Sequence, residues 1–556
     1  MLQARRRCTD IIEGMPMRRL LTVSVAALAL LHGATALGHD GEVSAERLEA
    51  DVTLLADDAL GGREAGTEGY NLAAGYVGGE FAAIGLDPAI GNHYFQTMPF
   101  RFFQADDPSK LSMTIIGRDG AQTLVPGDEI MIGTEAAVAS ASIEAPLVFV
   151  GSGFADDGLG WDDFSGVDVA GKIAVVLRNP PKIMGDQEYG YYRNTQAERL
   201  AARGAVGMIV LVTPTYEKGI KFEMLKSDFE PAVNMAWLRA DGTPFAEVPD
   251  SFIRAFASEE LGRRLMEGQP VSWEEAAAAE ADGKKRLPAF ELGFGARLTA
   301  GNRLWQQNSY NVVGVLPGSD PALANEIVVV TAHLDGVGTH VTEKEGDDEI
   351  VNAAMDNATG VAAITEIARL LAPTPPRRTL VFAALTAEEK GLWGADYLAR
   401  NPVMAGTHKV VANINVDMPL SSWEFTDLVV YGVERTTMEP VIRQSVASAG
   451  LVIVPDPQPE ESYFTRSDHY RFVQQGIPSV YVNPGFGNGG DKAYKDFIGK
   501  HYHQPSDEVG NVDFRQLARF TDVYRDIVVG VANMDEAPLW RKGDFFAKFY
   551  GGKMED

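Results

Sequence analysis

Past residue 290 the chain alternates near-continuous apolar runs with segments whose apolar residues recur every three to four positions. EIVVVTAHLD, RTLVFAALTAEE, KVVANINVDM, DLVVYGV and PSVYVNPG read as strands buried on both faces, since no regular polar position marks a solvent side. GVAAITEIARLL, WGADYLARN, MEPVIRQSVASAG and VDFRQLARFTDVYRDIVVGVANM carry the helical period instead. Buried strands separated by amphipathic helices predict an α/β layer fold, a doubly wound sheet with helices on both faces.

The first half has a different texture. Residues 44–83 predict two helices around a polar, glycine-rich turn, Gly61-Gly62-Arg63-Glu64-Ala65-Gly66-Thr67, and residues 94–103 and 111–116 predict strands. From about residue 141 come APLVFVGSGF, KIAVVLRNPP and GAVGMIVLVTP, short β-type runs with one helix, TQAERLAARGA, before the third. The polar stretch WEEAAAAEADGKKR then reads as an exit linker or surface helix. The expected division is a leader at 1–36, the first part of the α/β domain at 37–137, a β-rich insert at 138–288, the main α/β segment at 289–535 and a tail at 536–556.

Composition narrows the partners. At 556 residues, 45% hydrophobic and 23% charged, the chain can bury two or three cores. A formal net charge of −28 argues against a nucleic-acid or anionic-membrane partner. MRRLLTVSVAALALLHGATALG has the basic, apolar and small-residue order of a secretory signal, with cleavage expected near Ala36 and export to a periplasm or beyond. The sole cysteine, Cys8, precedes that segment, so the exported chain is expected to carry no disulfide. No second long apolar run suggests a stable membrane insertion after cleavage.

The chemistry gathers at the ends of the apolar runs. His333, Asp356, Glu389, Asp417 and His503 form a borderline-hard set of two imidazoles and three carboxylates, suited to a pair of zinc-type ions sharing one carboxylate. In open α/β sheets such residues converge outside the carboxyl ends of the strands. Glu388, beside a ligand but not one itself, could act as base. In an extended segment Asp335 shares a face with His333 and could orient its imidazole. Each residue alone has a plainer reading: a surface histidine, a helix cap at Asp356, a solvated glutamate pair. Asp417, flanked by Val416 and Met418, is harder to dismiss, because a carboxylate in an apolar run needs a partner. An ordered series of five makes the plain readings jointly improbable.

The motifs H-x-D, D-N-A-T-G, A-E-E-x-G, N-x-D-M and Y-H-x-P-x-D, in that order, resemble the zinc-dependent M28 peptidases over roughly residues 44–135 and 289–535. The insert resembles a protease-associated (PA) domain through VFVGSGF, V-A-G-K-I-A-V-V and A-R-G-A-V-G-M-I. The resemblance implies a mixed sheet of the zinc-exopeptidase type and two Zn²⁺ per chain. It implies that Asp356 bridges the ions, His333 and Asp417 complete one, and Glu389 and His503 complete the other. It further implies Glu388 as general base and Tyr502 as donor to the oxyanion. Peptides are then the substrates. The expected activity is an exported aminopeptidase, with a carboxypeptidase or dipeptidase on the same site, or a non-catalytic receptor-like protein, as alternatives. Ser467-Asp468-His469 looks like a family segment in which His469 either contacts substrate or serves a structural role; His340 and His501 are read as non-ligands. Lys390 and Arg466 bring positive charge within reach of the site and could affect specificity.

Overall fold

The computed structural model describes residues 41–556, apart from 106, 118–119, 219–220, 223–224, 226–232 and 341–345. The expected leader therefore lies outside the described residues. Two helices open the described chain. α1 (Ala45–Leu55) is capped by Ser44, whose side chain accepts the Arg47 amide, and α2 (Glu68–Ile84) by Thr67, which accepts the Tyr70 amide. α2 stops at Gly85, which takes the left-handed conformation that glycine adopts most cheaply.

Among the described residues the main sheet has ten strands. Nine of them form a continuous path: β1 (Phe95–Gln104), β2 (Asn234–Trp237), β3 (Arg303–Leu316), β4 (Glu326–His333), β5 (Thr379–Leu385), β6 (Lys409–Asn415), β7 (Asp427–Tyr431), β8 (Val452–Ile453) and β9 (Ser479–Pro484). Their order is β2-β1-β3-β5-β4-β6-β9-β7-β8, with Asp87–Pro88 paired to β3. The centre, β5-β4-β6-β9, is parallel, and antiparallel strands flank it. Alternation explains why the central runs are apolar throughout. Val328, Val330, Leu380 and Phe382 pack into one core with α1, α2, α3 (Thr359–Leu371) and α6 (Phe514–Ala532). Ile327, Val329, Val381 and Ala383 face the other core, with α4 (Trp393–Arg400) and Phe472 of α5 (His469–Val473). The sheet is thus covered on both faces, as the sequence predicts.

A second sheet, of eight strands among the described residues, departs from the expected boundaries. Its strands include Ser112–Gly117, Gly120–Leu124 and Ile130–Thr134 before residue 138, and Phe290–Gly301 after residue 288. Phe290–Gly301 pairs with both Ser112–Gly117 and Ser140–Phe149. Short alternating strands look alike whichever sheet they join, so the pattern alone does not reveal these long-range partners.

The two sheets are also tied together. β2 arises within the expected insert but pairs antiparallel with β1 at the edge of the main sheet. Trp237 of β2 donates its indole N–H to Asp396 Oδ2 at 2.9 Å and stacks on Phe245, centroids 4.6 Å apart. The expected tail is docked as well. Trp540 is fully buried, and the helix Phe545–Tyr550 packs among Tyr191, Tyr192, Phe464 and Tyr470, joining insert and main domain.

Candidate metal centre

Strand register sets up the site. His333 ends β4 beside Leu385, the last residue of β5, and Thr331 lies opposite Asn415, the last residue of β6. The three parallel strands therefore stop together, and the segments leaving them carry Asp335, Glu388, Glu389 and Asp417 to one edge. Asp356 enters from the turn before α3, Ala354–Ala358, and His503 from the loop after the helix Gly490–Lys500. All five expected ligands are brought together.

Their atoms fall into two linked groups. His333 Nε2 lies 3.1 Å from Asp417 Oδ1 and 3.1 Å from Asp356 Oδ1. His503 Nε2 lies 3.0 Å from Glu389 Oε2 and 3.4 Å from the other Asp356 oxygen, Oδ2. One carboxylate thus turns an oxygen to each histidine. His503 Nε2 and Glu389 Oε1 are buried without a hydrogen-bond partner. An imidazole nitrogen and a carboxylate oxygen left buried without partners offer lone pairs that fit divalent cations. Among the described residues, His333, Asp356 and Glu389 offer ligand atoms all within 4.8 Å of one another. Burial opposes protonation of His503, yet Asp356 and Glu389 push its imidazole up to about 10. The surplus of carboxylates demands positive charge.

The surroundings fix these side chains. His333 Nδ1 bonds the main-chain carbonyl of Asp335 at 3.1 Å, which leaves Nε2 for the site. The Asp335 carboxylate does something else: Oδ1 accepts the Glu388 amide at 3.1 Å and Oδ2 the Glu389 amide at 3.3 Å. Asp335 thus holds the His333 imidazole as expected, but through its main-chain carbonyl, while its carboxylate reaches across to the turn after β5. Ser467 Oγ donates to Asp417 Oδ2 at 2.7 Å and accepts from Asn415 Nδ2 at 2.9 Å. Asp507 accepts the Met355 and Asp356 amides at 3.0 and 3.1 Å, fixing the backbone of the shared carboxylate. Arg63, fully buried, donates to the carbonyls of Leu55, Leu334, Asn352 and Ala353.

Glu388 and Tyr502 complete the constellation. Burial raises the Glu388 carboxyl well above the ordinary range; His333 pulls it down, while Asp417 and Glu389 push it up. Such a group holds a proton readily. Tyr502 lies against His503, ring centroids 3.8 Å apart and planes 24° off parallel. Burial and the nearby Asp356 and Glu389 keep its phenol protonated, hence a donor. His469 is fully buried between Phe464 and Tyr481, and burial pushes it down to about 3. It is a neutral aromatic layer. His501 bonds Ser506, and His340 pairs through its backbone with Glu349.

Sequence reasoning assigned no role to Arg63, Ser467 or Asp507. Arg63 was visible only as part of a glycine-rich turn, and Ser467 and Asp507 only as letters within motifs.

Residues 311–528 match the model of peptidase family M28. That segment is similar to peptidase family M28. Among the relatives, a probable zinc metalloprotease of Leptosphaeria maculans is 38% identical over 112 residues, 20% of this chain and 25% of that protein. Aminopeptidase YwaD of Bacillus subtilis is 24% identical over 242 residues, 44% of this chain and 49% of that one. The chain thus spans between a quarter and a half of these two curated relatives. The aminopeptidase from Aneurinibacillus sp. strain AM-1 shares the fold, with a TM-score of 0.50 at 20% identity over 88% of this chain and 93% of that one.

Proposed function

We propose that this chain is a zinc-dependent exopeptidase, an aminopeptidase that releases N-terminal residues from peptides. The observation that carries the reading is the Asp356 carboxylate, with one oxygen toward each of two histidine–carboxylate pairs, and Glu388 on the adjoining turn. His333 and Asp417 would hold one zinc ion, Glu389 and His503 the other, with Asp356 shared. When bound, two such ions polarise a carbonyl and lower the pKa of water from about 15.7 toward about 7. Glu388 accepts the proton released as water attacks the scissile carbon and delivers it to the departing amine. Tyr502 donates a hydrogen bond from its hydroxyl to the carbonyl oxygen as negative charge develops there.

The charges near the site favour the aminopeptidase over the carboxypeptidase reading. Lys390 is paired with Glu64 at 3.1 Å and Arg466 with Glu461 at 2.8 Å, so these two cations are already compensated. Metal analysis should give two zinc ions per chain; one or none would sink the two-ion arrangement. Glu388→Gln should keep both ions and lose roughly 10²–10⁴ in kcat. Unchanged turnover in that variant would reject the mechanism, and no turnover in the parent would favour a binding protein. Fast cleavage of an N-acetylated dipeptide with a free C-terminus would reverse the choice of peptide end. Export is proposed from residues 17–38 alone; cell fractionation that leaves the chain in the cytoplasm would reject it.

A further inference from the structure

The turn that carries Glu388 and Glu389 is strained and gripped. Ala387 and Leu392 both have positive φ, 56° and 61°, which is costly for residues with a Cβ. The Gly391 and Leu392 amides fold back to the Glu388 carbonyl, and the Trp393 amide to that of Ala387. Asp335 holds the entry of this turn through the Glu388 and Glu389 amides. Its exit is held by a residue that the mechanism does not use. Arg471, on α5, donates Nη2 to the Gly391 carbonyl at 2.8 Å, and its guanidinium lies 5.5 Å from the centroid of the Trp393 ring.

The insert completes that grip. Arg471 Nη1 faces Glu247 Oε1 at 3.4 Å and Gln474 Oε1 at 3.0 Å, and the side chain is only 12% exposed. Glu247 lies in the segment after β2, and its carboxyl bonds that of Glu198, on the insert helix Gln196–Ala202. These groups line a cavity of about 390 Å³ between the two sheets, with Arg254, Lys390 and Trp393 on its other walls. The line of contact runs from the insert, through Glu247 and Arg471, to a carbonyl three residues past Glu388.

We infer that Arg471 is a positioning residue that holds the turn bearing Glu388 and Glu389 in its working geometry, and that Glu247 of the insert keeps Arg471 in place. A planar guanidinium can reach the carbonyl and the carboxylate at once, which a lysine ammonium does less well. The kinetic arm of the test rests on the peptidase reading; the exchange arm does not.

The test uses the full chain with Arg471→Met, Arg471→Lys and Glu247→Gln. Hydrogen exchange of amides 388–394 is measured with and without zinc, and kcat and KM are measured on a peptide. Arg471→Met should speed exchange of those amides about tenfold or more and lower kcat about tenfold, with KM within twofold and zinc content unchanged. Arg471→Lys should recover part of both effects, and Glu247→Gln should be milder than Arg471→Met. The proposal is overturned if Arg471→Met leaves the exchange unchanged, or if Arg471→Lys is no better than Arg471→Met. If Arg471→Met does not fold, exchange in Glu247→Gln decides: faster exchange at 388–394 supports the proposal, and parental exchange overturns it. A parent that cleaves no peptide rejects the proposed function, while the exchange arm still decides the role of Arg471.

Discussion

Arg63 shows how a side chain can be essential to a site without touching substrate. Its guanidinium satisfies four main-chain carbonyls from α1, from the residue after His333 and from the two residues preceding the Asp356 turn. Burial lowers its pKa to about 10, against the pull of Asp507, Asp335 and Asp356, so it stays charged at neutral pH. Arg63→Met would leave those carbonyls unpaired and nearby carboxylates uncompensated. The expected loss is roughly 3–5 kcal/mol, read as a lower denaturant midpoint. Asp335→Asn should be gentler on folding and harder on chemistry: it removes one acceptor of the Glu388 and Glu389 amides, and zinc affinity or kcat should fall about 10–100-fold. The ligands His333, Asp417 and Glu389 were legible because strand ends are where such residues converge. Arg63 and Ser467 were not, because their partners are main-chain groups or side chains far away in sequence, and no local pattern records a bond of that kind.

At the scale of elements, the apolar runs identified β4, β5, β6, β7 and β9 because a strand buried on both faces excludes polar residues. The same logic could not assign strands to sheets. Ser112–Gly117 pairs with Phe290–Gly301 across the whole insert, and β2 crosses over to the main sheet. Hydrophobic period reports which face is buried, not against which strand. The crossover strand also makes a specific prediction. Trp237→Phe keeps the stacking on Phe245 but removes the indole N–H from Asp396, which retains its bond from Arg400 Nε at 2.8 Å. The expected cost is about 1–3 kcal/mol, seen as a fall in melting temperature. Docking of the segment 536–556 was equally hidden, since Trp540 and the aromatic residues at 545–550 lack a long amphipathic repeat.

Over the whole molecule, acidity has a local focus. Burial, and then the neighbouring carboxylate of Glu247, raise Glu198 to about 8 from its ordinary 4.5. The folded chain therefore binds this proton more tightly than the unfolded chain. Glu198's contribution to stability is greatest below about pH 4.5, declines as pH rises and is gone above about pH 8. Melting temperatures from pH 5 to pH 9 should show that decline in the parent and a flatter profile in Glu198→Gln. β2 carries a further consequence, for cooperativity. Because the insert supplies an edge strand to the main sheet, neither body can open without breaking the other's hydrogen bonds. Heating should therefore give one calorimetric transition, with calorimetric and van't Hoff enthalpies in agreement. Excising the insert would then cost the remainder its fold, and point changes along the seam are the informative way to separate the two.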